Sequence, residues 1–166
     1  MTEVAERVDP IAEFREDHRK VRDSVLEIAD ALKRKDLATA RKILGELDAF
    51  VGPHFRYEEE DLYPALRRFL GEYVDELVGE HDGAIETARV CAELLSKDSL
   101  TDEEAEEASK AAMKLLVHVS NCDGLAILAE RFDPEELERL GRRFAEARRA
   151  GVSLLEWADK IRKREK

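Results

Sequence analysis

Apolar residues recur at spacings of three and four along most of the chain, the mark of helices that bury one face. The first stripe runs Ile11, Phe14, His18, Val21, Val25, Ile28 and Leu32 without a miss. The second reads Leu47, Val51, His54, Glu58, Leu62, Ala65 and Phe69. The third is Val74, Leu77, His81, Ile85 (or Ala84), Ala88, Ala92 and Leu95, and the fourth Ala108, Ala111, Leu115, His118, Cys122, Leu125 and Ala129. No segment sustains the alternation of a strand.

Helix punctuation fits these stripes. Asp9-Pro10 pairs an N-cap with proline at the first helical position, opening a helix to about Lys33. Lys35-Asp36 turns the chain into a second helix from about Leu37, which Gly52-Pro53 should bend or break before it resumes from His54 to about Leu70. A third helix spans roughly Glu72 to Lys97. Thr101 with Glu104 forms a capping box for a fourth, to about Arg131. Asp133-Pro134 starts a fifth, and Gly151 precedes a short last helix with Trp157. The expected fold class is all-α: an up-down-up-down four-helix bundle over residues 10–131, with one or two extra C-terminal helices over 132–166 and an N-terminal extension over 1–9.

The four histidines of the chain occupy one inward slot on each long helix. With about three of seven helix positions facing inward, chance places all four there in roughly 3% of cases. His18 and His54 fall at comparable heights on neighbouring helices, as do His81 and His118. Four imidazoles in an apolar bundle need partners, and a metal ion satisfies them together. Glu58 lies four residues after His54 on the same face, so it enters the core with it. A buried carboxylate beside histidines is costly unless a cation neutralises it. Histidine with carboxylate suits Fe, Mn and Zn.

Composition bounds the alternatives. With 166 residues, 43% hydrophobic and 40% charged, the chain fits one folded domain rather than a disordered segment. A net charge of −11 argues against nucleic acid as a partner. No apolar run near the roughly 20 residues of a membrane span stands out, so no membrane partner is expected. Met1–Pro10 lacks the apolar segment of a secretory signal, and a cytoplasmic protein is expected. From Arg139 onward ten Lys/Arg face four Asp/Glu, a basic surface for an acidic protein partner or a solvated helix end. Cys91 and Cys122 lack zinc-ribbon spacing, and a disulfide is not required. No nucleophile triad, phosphate-binding glycine loop or nucleotide motif is present.

The stretches around Glu16-Asp17-His18-Arg19, His54-Phe-Arg-Tyr-Glu-Glu-Glu-Asp-Leu-Tyr-Pro-Ala-Leu66, Glu80-His81-Asp82 and His118 resemble a hemerythrin domain of the HHE cation-binding kind over roughly residues 10–131. The resemblance implies a non-haem di-iron centre in a four-helix bundle, acting on a small diatomic ligand or peroxide. It implies His18, His54, His81 and His118 as iron ligands and Glu58 as the bridge. In that family the last helix usually repeats His-x-x-x-Glu, but here Cys122 stands in the glutamate place. Asp123 is then the candidate second bridge, although five residues turn about 140° round a helix. Glu86 is the nearby substitute for the additional helix-3 histidine of the oxygen carriers. Cys122 itself reads as a thiolate ligand, a redox-active side chain or a core filler. Glu59, Glu60 and Asp61 read as a solvated acidic face, with Glu59 reaching the site only if a break at Gly52-Pro53 rotates the segment. Tyr63 seals the bundle near the metals. One metal ion, held by His54, Glu58 and His118 with Cys122 or His81, is the alternative to two.

Overall fold

The computed structural model describes residues 8–164, so Met1–Arg7 of the expected N-terminal extension, and the signal reading made on them, lie outside the described residues. The chain is helical throughout, with no strand among the described residues. The helices are α1 (Pro10–Lys33), α2 (Leu37–Tyr57), a π-helical turn (Glu58–Leu62), α3 (Tyr63–Leu70), α4 (Tyr73–Leu95), α5 (Asp102–Asp123), α6 (Ala126–Ala129), α7 (Pro134–Ala150) and α8 (Leu154–Lys160). Helix starts are set by the expected caps. Asp9 accepts from the Ile11 and Ala12 amides at 3.0 and 3.2 Å, and Thr101 and Glu104 exchange the two bonds of a capping box. Gly151, at φ +61°, ends α7 in the left-handed conformation glycine favours.

Four long helices form the body. α1 packs against α2 and α5, and α4 packs against the same two helices. Two apolar clusters fill the interior. One joins Ile28, Leu32, Leu47, Val51, Leu95 and Ala108 to Leu154 and Trp157; the other joins Phe14, Tyr57, Tyr63, Leu66, Leu77 and Cys122 to Leu140 and Phe144. Both clusters draw on the C-terminal helices, and α7 and α8 both rest on α2.

Two expectations about α2 are corrected. Gly52-Pro53 does not break the helix, which runs through both residues. Gly52 is instead a close approach: a Cβ there would sit 2.2 Å from the Val152 carbonyl oxygen, so the residue lets the chain before α8 cross α2. The irregularity falls at Glu58–Leu62, where the Tyr63 amide donates to the Glu58 carbonyl five residues back. Pro64, lacking an amide hydrogen, cannot close the ordinary turn onto Glu60. The extra residue shifts the buried stripe by one. Leu66 is buried where Ala65 was expected, Phe69 is 43% exposed, and Tyr63 is buried as expected.

The fourth predicted helix ends at Asp123, and the remainder continues as the short α6. Against the expectation that no stretch qualifies, Asp102–Ala129 contains a window of mean hydropathy 1.3, long and apolar enough to cross a membrane by composition alone. In the fold its inward face carries His118 and Cys122, and α5 lies along α1 and α4.

The basic C-terminal segment is largely occupied within the chain. Arg143 bonds Asp61 at 3.0 Å, Arg148 bonds Glu13 and Asp17, and Arg162 and Arg164 both bond Asp82. Cys91 and Cys122 are both free thiols.

Candidate metal centre

All four histidines are buried between the two apolar clusters, together with Glu58, which has no exposed surface. His18 of α1 and His54 of α2 form one pair, with ring centroids 5.0 Å apart and planes at 69°. His81 of α4 and His118 of α5 form a second, at 4.8 Å and 74°. Glu58 lies between the pairs: its Oε1 is 3.2 Å from His54 Nε2 and 3.3 Å from His81 Nε2. Two donor groups result, His18–His54–Glu58 and Glu58–His81–His118, each with atoms within 4.8 Å of one another. One carboxylate is common to both.

Each histidine turns its Nδ1 toward an outer carboxylate. His18 Nδ1 is 3.0 Å from Asp123, His54 Nδ1 2.8 Å from Asp17, and His81 Nδ1 2.6 Å from Glu59. His118 Nδ1 has a looser partner, Glu80, at 3.5 Å. Carboxylates in this place fix the ring orientation and leave Nε2 free to bind a metal. The acids are anchored in turn. Arg148 bonds Asp17, and Arg162 bonds Glu59 at 2.9 Å, while Asn121 bonds Glu80 at 3.0 Å and Arg15 approaches Asp123 at 3.5 Å. Phe55 stacks on His81 with centroids 3.8 Å apart, and Phe14 packs edge-on to His18 at 4.3 Å.

Glu58 Oε2 faces away from the histidines. Tyr63 donates to it from 3.1 Å, and the Cys122 thiol also donates to it. Burial, reinforced by the nearby Glu58 charge, pushes the Cys122 thiol well above its usual range, so it stays protonated. Burial does the same to the Tyr63 phenol. Both are therefore hydrogen-bond donors.

The donor set has the chemistry of a cation site. Among the described residues, six buried side-chain N or O atoms lack a hydrogen-bond partner, and five of them belong to His18, His54, Glu58 and His118. A cluster of unpaired donor atoms inside a core is costly. A cation at each group would satisfy them. Without one, protons serve. Burial alone would lower the His54 pKa, but Glu58 and Asp17 outweigh it and raise it to about 9. His81 is raised in the same way by Glu58 and Glu59 against its burial. The His54 and His81 charges hold Glu58 well below the usual carboxylate range despite burial. His118 is lowered to about 4 by burial and by His81, and His18 is lowered by burial and by His54.

The expected ligands thus divide. His18, His54, Glu58, His81 and His118 come together. Asp123 lies in neither donor group and orients His18 instead, because a fifth residue rotates away from the face that His118 presents. Glu86 is exposed on α4 and does not join the site. Cys122 lies in neither donor group, and its contact is with Glu58. Glu59 does reach the site, carried there with the π turn rather than by a break at Gly52-Pro53. The outer acids Asp17 and Glu80 were not anticipated. Their only signal is that each stands immediately before a histidine and serves the histidine of the next helix.

This is a helical metal-binding centre built from two histidine pairs around one carboxylate. The family model for the hemerythrin HHE cation-binding domain matches residues 9–125, and the chain belongs to that family. No curated protein and no solved structure matches the chain.

Proposed function

We propose that this protein is a non-haem iron protein with two metal positions. His18 and His54 would hold one ion, His81 and His118 the other, and Glu58 would bridge them. The observation that carries this reading is the position of Glu58 Oε1, nearly equidistant from an Nε2 of each pair. Bound iron would supply open coordination positions for O2, peroxide or nitric oxide. The chain's own residues hold the imidazoles at fixed tautomers through Asp17, Glu59, Glu80 and Asp123, and exclude bulk water with Phe14, Phe55 and Tyr63. The same donors accept Zn or Mn. An up-down-up-down order of α1, α2, α4 and α5 agrees with the packing of each long helix against two others. A cytoplasmic setting agrees with two free cysteines.

The test is to load the metal-free protein anaerobically with ferrous iron and titrate it with nitric oxide, O2 or peroxide. An optical spectrum that responds to one of them, and is lost in Glu58→Gln, is the expected result. A loaded protein whose spectrum ignores all three overturns the reading. A single metal ion in a sensor or structural role is the second reading, favoured by Cys122 standing where a second carboxylate would complete two six-coordinate ions.

A further inference from the structure

Beyond the centre, within the cluster around Ile28 and Leu47, the bundle holds a half-open pocket of about 360 Å³. Its lining runs from His118 and Phe55 to Arg41 and Ser96. Its walls between are almost wholly apolar, and small residues make the room: Gly45, Ala84, Ala88, Ala92 and Ala112 all line it. Protein cores rarely leave such space. An engineered void of about 150 Å³ takes benzene, so this one is more than twice that size and far beyond a diatomic ligand.

Its shape narrows the occupant. The lining follows α4 from Ala84 to Leu95, a run of about 16 Å at 1.5 Å per residue. An extended apolar slot of that length suits a chain-like apolar ligand better than a compact one. The inner end is closed by His118, 7% exposed, and by Phe55, which packs edge-on to it. At the outer end Arg41 bonds the Leu95 and Lys97 carbonyls, so its guanidinium is fixed at the rim where α4 ends.

We infer that this slot binds one unbranched alkyl chain of roughly ten to twelve carbons, with its polar end at the Arg41 rim and its tail directed at His118. The inference stands on the cavity and not on which ion the centre holds. The chain's one tryptophan, Trp157, lies buried on α8, whose Leu154 and Leu155 line the slot, so its fluorescence reports occupancy.

The experiment titrates decanoate and 1-decanol separately into the protein, following Trp157 fluorescence and metal content on the same samples. Saturable one-to-one binding of either compound is expected. Ala88→Phe, which fills the slot, should weaken it at least tenfold with metal content and helix content unchanged, and Ala88→Leu should weaken it less. Tighter binding of decanoate than of decanol identifies a carboxylate head at Arg41, and equal binding identifies the chain alone as the recognised part. No saturable binding of either, or binding that Ala88→Phe and Ala88→Leu leave unchanged, overturns the inference whatever the metal content.

Discussion

The α1–α2 half and the α4–α5 half of the centre follow one plan. In each, an acid precedes the first histidine and serves the second: Asp17 before His18 bonds His54, and Glu80 before His81 faces His118. In each, the residue five after the second histidine crosses to the other half: Glu59 bonds His81, and Asp123 bonds His18. The plan fails at one place. Four residues after His54 stands Glu58, and four after His118 stands Cys122. The halves are therefore equal in histidines and outer acids but supply one inner carboxylate between them, which the cysteine supports by donating to it. The one inner carboxylate that both donor groups share is Glu58.

The largest expected effect follows from that. Glu58→Gln keeps the side-chain size but removes the shared charge, so both positions should empty and bound metal should fall below half an ion per chain. Elemental analysis reads this directly. Retention of a full complement by the variant would mean that the two halves bind independently. Loss of an ion held at 100 times its Kd removes about 2.7 kcal/mol of apparent stability, so the melting temperature should fall with the metal.

Next come the outer acids, where the halves differ in support. The Glu59 side chain is 9% exposed and locked by Arg162, whereas that of Asp123 is 34% exposed and only approached by Arg15. Glu59→Ala should therefore weaken metal binding by about 10–100-fold, and Asp123→Ala by less. A competitive chelator titration measures both, and the reverse order would refute the assigned hierarchy.

Protonation separates the histidines along the other diagonal. In the metal-free chain His54 keeps its proton up to about pH 9, while an unfolded histidine loses it near 6.5. Its contribution to stability is complete below pH 6.5 and disappears as pH rises through about 9. Metal must displace that proton and the one on His81, so affinity moves the opposite way. Melting of the metal-free protein between pH 6 and 9 should show a falling midpoint, while metal affinity rises over the same interval. A flat metal-free profile would remove the protonated His54–Glu58 arrangement.

The smallest change is Cys122→Glu, which makes the halves alike. It should keep the metal count and strengthen binding, because the thiol donates to Glu58 and lies in neither donor group. A weaker site or a lost absorption band in the variant would restore the thiolate-ligand reading.

Most of the inner site was legible in the sequence because it obeys the same three-and-four spacing as the core. His18, His54, Glu58, His81 and His118 are simply the polar members of apolar stripes. Asp17 and Glu80 escaped that logic, since a residue beside a stripe position is rotated about 100° from it and reads as solvated. The π turn left no compositional mark apart from Pro64, so the shift from Ala65 to Leu66 and the exposure of Phe69 were not foreseen, although Tyr63 was expected at the site. Pro53 misled, because proline is tolerated in α2 where Gly52 admits a crossing chain. The arginine anchors were out of reach for a different reason: Arg148 and Arg162 lie far along the chain from Asp17 and Glu59, and only folding brings them together.

The central claim is that two metal positions share Glu58. It is tested most directly by counting metal ions per chain after anaerobic loading with ferrous iron and removal of the excess. Close to two irons per chain is the predicted result, and one iron per chain or none would contradict the account.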